Sequence, residues 1–120
     1  MAAPKGNQFW RMRSSHWRKP IFATPDDLWE ACCEYFQWVE ENPLECAELV
    51  KYQGEATIAN VPKMRIMTVT GLCIFLDITN ETWLDYAKNK GKDFSEVCTR
   101  VERVIYEQKI SGAAADMLNP

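Results

Sequence analysis

The sequence predicts a mainly α-helical fold: a helical bundle with a helix-turn-helix-like unit and one protruding β-hairpin. Apolar residues recur at three- and four-residue spacing along most of the chain, which is the period of amphipathic helices. Residues 46–62 differ, because β-forming residues there flank a glycine in a short loop, as in a hairpin. With 120 residues, 47% of them apolar and 26% charged, the chain has the size and composition of one globular domain.

Residues 1–23 are predicted to form an irregular N-terminal arm, since prolines and a glycine interrupt any helical period. Residues 1–20 hold five basic and no acidic side chains (+5), whereas residues 21–120 hold nine basic and 17 acidic ones (−8). The basic residues of the arm are Lys5, Arg11, Arg13, Arg18 and Lys19. Aromatic residues interleave with them, including Trp10 and Trp17.

This composition allows two roles for the arm. Arginine and lysine attract phosphates while aromatic rings stack on bases, so the arm is a candidate DNA-binding segment. Alternatively, its aromatic side chains pack on a neighbouring subunit, because several large aromatics are seldom left in water without a partner. The two roles are compatible.

Residues 24–120 are predicted to form a helical oligomerisation core. Its first helix is predicted to begin after Thr24 and to stop at Asn42-Pro43. Thr24 is a good N-cap and Pro25 suits the first helical position. The expected inner face is broad and aromatic and consists of Leu28, Trp29, Cys32, Tyr35, Phe36 and Val39. Core packing is one role for this face, and a subunit interface that includes Trp29, Tyr35 and Phe36 is the rival.

The predicted hairpin near residues 46–62 has Gln53-Gly54-Glu55 as its loop. An isolated two-stranded hairpin is only marginally stable in water. We therefore expect it to pack on the helical body or to join strands of other subunits, with Tyr52 as a candidate interface residue.

Residues 68–88 are predicted to form two short helices around a turn with Ile78 buried, following a helical segment at residues 64–70. Thr79 or Asn80 can cap the second helix. The inner face of that helix is expected to hold Trp83, Leu84 and Tyr86 or Ala87.

A helix-turn-helix often places its second helix in a DNA groove. Candidate DNA contacts at the end of this helix are Lys88, Lys90 and Lys92. Glu81 and Asp85 on the same helix weaken this interpretation, because a DNA-reading helix usually presents more basic and amide groups. A last amphipathic helix is expected from Asp93 or Ser95, with a bend at residues 111–112.

The sequence offers no catalytic residues, no metal site and no cofactor motif. It contains neither a phosphate-binding glycine loop nor a paired-histidine motif, and its five cysteines show no C-x-x-C spacing. No apolar run reaches membrane-spanning length and no secretory signal is seen, so we expect a cytoplasmic protein with no membrane partner.

Five blocks of sequence carry a resemblance that spans essentially the whole chain. They are MAAPKGNQFW, LWEACCEYFQWVEENPL, KYQGE, KMRIMTVTGLCIFLDITNETW and SEVCTRVERVIYEQKISGAAADMLN. The chain resembles the small terminase subunits of short-tailed, headful-packaging phages and related prophages of enteric bacteria.

This resemblance implies a non-enzymatic DNA-packaging protein that acts in the host cytoplasm. Such proteins form homo-oligomeric rings, recognise the packaging site on double-stranded phage DNA, and recruit and regulate the large ATPase-nuclease subunit. The implied partners are therefore DNA, the large subunit and further copies of the chain. The family's basic C-terminal tail is absent from this sequence, so its DNA-binding role is carried onto no residue here.

Two other functions remain open at the level of the sequence. One is a ring-forming assembly scaffold that does not itself bind DNA. The other is a dimeric helix-turn-helix regulator of transcription. The mass of the protein in solution, with and without DNA, separates these possibilities.

Overall fold

The computed structural model describes residues 22–118 and has four helices and two strands in this part of the chain. The elements are α1 (Pro25–Glu41), β1 (Leu44–Tyr52), β2 (Glu55–Lys63), α2 (Val69–Leu76), α3 (Asn80–Lys88) and α4 (Lys92–Leu118). The prediction of a mainly helical fold with one hairpin is confirmed. The arm residues Lys5, Arg11, Arg13, Arg18, Lys19, Trp10 and Trp17 lie outside the described residues.

Three helices begin at threonine N-caps. The Oγ1 of Thr24 accepts a hydrogen bond from the Asp27 backbone N–H at 3.1 Å, and Thr79 accepts one from Thr82 at 3.1 Å. Thr68 does the same for Gly71 at 2.9 Å and starts α2. Each bond satisfies an N–H group that has no partner within the helix. The caps predicted at Thr24 and Thr79 are confirmed.

Two predicted features of the second half are wrong. Residues 64–68 are not helical, because β2 extends to Lys63 and the following segment runs beside α4, where its backbone bonds to Gln108. Leu84 is 51% exposed, because Trp83 and Tyr86 already fill the inner face of α3. Helix α4 continues as one helix through residues 111–112, the position of the predicted bend.

The core lies among the four helices. Its largest fully buried side chains are Trp83, Leu28, Leu72, Leu76, Val101, Cys32, Cys73 and Cys98. Ile78, between α2 and α3, is 8% exposed as predicted. Within the described residues, no helix is long and apolar enough to cross a membrane.

The hairpin stands apart from this core. Strands β1 and β2 pair in antiparallel register from Leu44–Lys63 to Tyr52–Glu55, and Gln53 and Gly54 make the turn with φ of 51° and 83°. Both values are positive, as a tight type I′ hairpin turn requires. The principal extents of 61 × 34 × 20 Å describe an elongated molecule.

Candidate nucleic-acid and subunit interfaces

The lysines predicted to contact DNA lie at the junction of α3 and α4. Lys88 is the last residue of α3 and Lys92 is the first of α4, and all three lysines of the group, including Lys90, are exposed. Gly91 joins the two helices with a φ of 109°, a conformation that a residue with a Cβ rarely adopts. The turn therefore presents three positive charges within five residues of sequence.

Acidic neighbours offset two of these charges. The Nζ of Lys90 lies 3.4 Å from Oδ2 of Asp85, and the Nζ of Lys92 lies 3.9 Å from Oε1 of Glu96. A hydrogen bond from Asn89 and the charge of Lys90 lower the pKa of Asp85, so this carboxyl stays ionised beside the lysines. The junction therefore offers a phosphate less net positive charge than the sequence spacing indicates.

The three aromatic residues proposed for an interface on α1 differ in exposure. Tyr35 is 2% exposed, and its Oη accepts a hydrogen bond from the Thr68 N–H at 3.3 Å. Burial raises the pKa of this phenol, which keeps it protonated. Trp29 and Phe36 are half-buried, so a neighbouring copy would meet them before it met Tyr35. Tyr52 ends β1, and its role at an interface stays a prediction.

Trp29 is also a partner for a cation. The guanidinium carbon of Arg100, on α4, lies 4.3 Å from the centre of the Trp29 ring. This distance is typical of a cation–π contact. Arg100 therefore stabilises the packing of α1 on α4 and is less available to a phosphate than a freely solvated arginine.

A groove of about 1040 Å³ separates α1 from the middle of α4. Phe36 and Met67 supply apolar lining, and Tyr106 is 65% exposed at its wall. Its charged lining residues are Arg100, Arg103, Glu40, Glu102 and Glu107. Because both signs are present with acids in excess, the groove lacks the uniformly positive lining that suits nucleic acid.

The hairpin presents an apolar pair that sequence reasoning missed. Leu49 and Ile58 are directly opposite each other in the register and are 64% and 77% exposed. Opposed residues of antiparallel strands point to the same face, so the two side chains form one exposed patch. Counting outward from the Gln53-Gly54 turn would have found this pair, because turn geometry fixes the register.

Metal and thiol chemistry find no support in the described part of the chain. No group of three or more potential ligands among His, Cys, Asp and Glu could hold a metal ion there. Burial raises the pKa of Cys73 to about 11 and that of Cys98 to about 12, and it raises the pKa of Cys32 further. These thiols stay protonated at neutral pH and are poor nucleophiles.

Comparison with known proteins places the chain in a functional context. Residues 17–120 match a family described as DNA-packaging protein gp3. The chain is also 59% identical over 119 residues to a protein of Salmonella phage P22 described as the small subunit of terminase. This alignment covers 99% of the chain and 72% of the phage P22 protein. Similarity at this level extends through all of the elements described above.

Proposed function

The chain belongs to the DNA-packaging protein gp3 family, and we propose from this membership that it works as the small subunit of a terminase. In this role it would bind phage DNA at the packaging site and recruit the large, catalytic subunit without performing catalysis itself. The similarity over nearly the whole chain is the observation that carries the proposal.

We assign DNA contact first to the basic residues of the arm. Residues 1–20 carry +5, while the described residues carry nine basic and 17 acidic side chains. A body with this excess of acid repels a phosphate backbone on average, so attraction must come from a locally basic segment. Lys88 is a secondary contact, since Asp85 and Glu96 offset Lys90 and Lys92.

We further propose that the chain acts as a homo-oligomeric ring. No strand of the described residues pairs with the outer edges of β1 and β2, and Leu49 and Ile58 form an exposed apolar patch on this two-stranded sheet. An open strand edge can pair with a strand of another chain, and an exposed apolar patch marks a surface for protein–protein contact. Ring symmetry would then multiply weak phosphate contacts from each copy into stable binding.

Electrophoretic mobility shifts on duplex DNA at several salt concentrations test the assignment to the arm. In the triple variant Arg11→Ala, Arg13→Ala, Arg18→Ala, we expect weaker binding and a shallower dependence of the affinity on salt, because fewer phosphates are neutralised. The matched control removes the same number of charges from exposed sites of the body: Lys51→Ala, Arg103→Ala, Lys109→Ala. We expect its binding to stay the same or to weaken much less.

A DNA-independent assembly scaffold is the second candidate, and the acidic balance of the body favours it. This scaffold function predicts that neither triple variant changes the mobility shift of the DNA, because the unmodified protein already binds DNA weakly. Equal weakening by both variants would also contradict the arm assignment and would place the DNA contacts on the body.

A further inference from the structure

Among the residues that the structure describes, the hairpin of β1 and β2 makes no apolar joint with the helical body. None of residues 44–51 and 53–63 belongs to the core or to the half-buried side chains packed against it. Within the described residues, apolar packing against the helices therefore does not set the direction in which the hairpin points. Some other contact has to do so.

Arg65 ties the two ends of the hairpin to each other. Asn42 lies between α1 and β1, and Arg65 follows β2. The Nε of Arg65 donates a hydrogen bond to the Asn42 carbonyl oxygen at 2.8 Å, which closes the hairpin at its base. The guanidinium also lies 4.9 Å from the centre of the Trp38 ring, and Arg65 is only 7% exposed. A buried, charged donor holds such a geometry more firmly than a neutral surface group does.

The end of α1 is fixed by the same residues. The Nδ2 of Asn42 donates to the Trp38 carbonyl oxygen at 2.9 Å and so completes the last turn of the helix. Asn42 therefore uses its side chain to finish α1 and its backbone carbonyl to receive Arg65. The start of β1 is held at a defined position relative to α1.

Gln108 connects this base to α4. Its Oε1 accepts a hydrogen bond from the Met67 N–H at 3.0 Å, and its Nε2 donates to the Arg65 carbonyl oxygen at 2.9 Å. One side-chain amide thus satisfies two backbone groups of residues 64–68, which lie outside any helix or strand. One turn further along α4, the end of the Met64 side chain lies against Gly112.

We propose that Asn42, Arg65 and Gln108 form a polar clamp that fixes the direction of the hairpin relative to α4. Gln108 is half-buried whereas Arg65 is only 7% exposed, so water can replace the two hydrogen bonds of Gln108 at a smaller net cost than the bond of Arg65. The polar clamp can therefore open at Gln108 while Arg65 stays in place over Trp38. Opening frees the hairpin to change direction, as fitting it against another molecule would require. This inference does not depend on the proposed packaging function.

The variant Gln108→Met tests the polar clamp, because methionine has nearly the same size and lacks both hydrogen bonds. We expect the Met67 amide to exchange with solvent roughly fivefold to tenfold faster, since the acceptor that it has among the described residues, the Oε1 of Gln108, is gone. We also expect a broader distribution of distances between spin labels placed on non-natural side chains at Thr57 in β2 and Glu96 in α4. The labelled chains would be mixed with a large excess of unlabelled chains, so that only distances within one chain are measured.

The matched control is Gln37→Met, which makes the same replacement at an exposed glutamine of α1. It should change neither the Met67 exchange nor the distance distribution. Unchanged exchange and distances in Gln108→Met would overturn the proposal, as would acceleration of the α1 core amides to the same degree. The unmodified protein gives an independent check, because an unprotected Met67 amide there would also contradict the polar clamp.

Discussion

Tyr35 and Gly71 show how single residues hold α1 against α2. The ring of Tyr35 lies 5.5 Å from that of Phe75, and its Oη bonds to the backbone of Thr68. A Cβ on Gly71 would lie 2.7 Å from this Oη and 3.0 Å from the Oγ1 of Thr68. The tyrosine hydroxyl and the N-cap of α2 can occupy their positions only because residue 71 has no side chain.

The variant Gly71→Ala should therefore lower the free energy of unfolding by about 1–2 kcal/mol, since overpacking outweighs the gain in helix propensity. Urea unfolding followed by circular dichroism measures this. Gly112→Ala is the matched control, because its nearest neighbour is the flexible end of Met64. We expect that control to be nearly neutral, and equal losses in both variants would contradict this account of Gly71.

The buried thiols should also make the folding stability fall at alkaline pH. In the unfolded chain the pKa of a cysteine is near 9.0, whereas burial raises the pKa of Cys73 to about 11. Below pH 9 both states are protonated and stability is unaffected. Between about pH 9 and 11 only the unfolded chain ionises, so stability falls by up to about 1.4 kcal/mol per pH unit for this thiol.

Urea midpoints measured from pH 8 to pH 10.5 test this effect. The variant Cys73→Ala should lose stability less steeply with pH than the unmodified chain. A slope that Cys73→Ala does not change would show that this thiol ionises in the folded state.

At the scale of elements, the boundaries that depend on hydrogen bonds between neighbouring residues could be predicted, whereas those that depend on contacts distant in the sequence could not. Thr24 and Thr79 were recognisable as caps because their side chains bond within their own helices. The non-helical conformation of residues 64–68 could not be predicted, because their apolar composition fits a helix. Their position is fixed by Gln108, which is more than 40 residues away in the sequence. The exposure of Leu84 likewise depends on how much of the inner face Trp83 fills, which spacing alone does not reveal.

The hairpin turn gives the prediction that belongs to this scale. Gln53 has a φ of 51°, a left-handed conformation that asparagine tolerates better than glutamine. We expect Gln53→Asn to stabilise the hairpin by a few tenths to about 1 kcal/mol. Slower amide exchange in β1 and β2 would show this, whereas Gln53→Ala should have the opposite effect. Faster strand exchange in Gln53→Asn would contradict the turn geometry.

At the scale of the whole molecule, the described residues form an elongated body with an excess of acidic side chains and an exposed hairpin. Both features indicate that the protein binds partners. The Leu49–Ile58 patch and the open strand edges would be covered if copies of the chain associate. The basic arm residues supply the positive charge that the body lacks. The proposed role, which includes self-association and contact with DNA, would account for both features.

The double variant Leu49→Lys, Ile58→Lys tests self-association through the hairpin. Two lysines on the patch would repel equivalent lysines of a neighbouring copy, so we expect the oligomer to weaken or dissociate. Light scattering over a range of concentrations measures the effect. Thr57→Lys, on the opposite face of the same strand, provides a single-charge control. An unchanged mass in the double variant would place the subunit contacts elsewhere on the chain.

The mass of the unmodified protein, measured by native mass spectrometry with and without duplex DNA, tests the central claim most directly. A small terminase subunit is expected to give one closed homo-oligomer larger than a dimer, which gains the mass of a bound duplex at low salt and loses it at high salt. A monomer or dimer under both conditions would contradict the account.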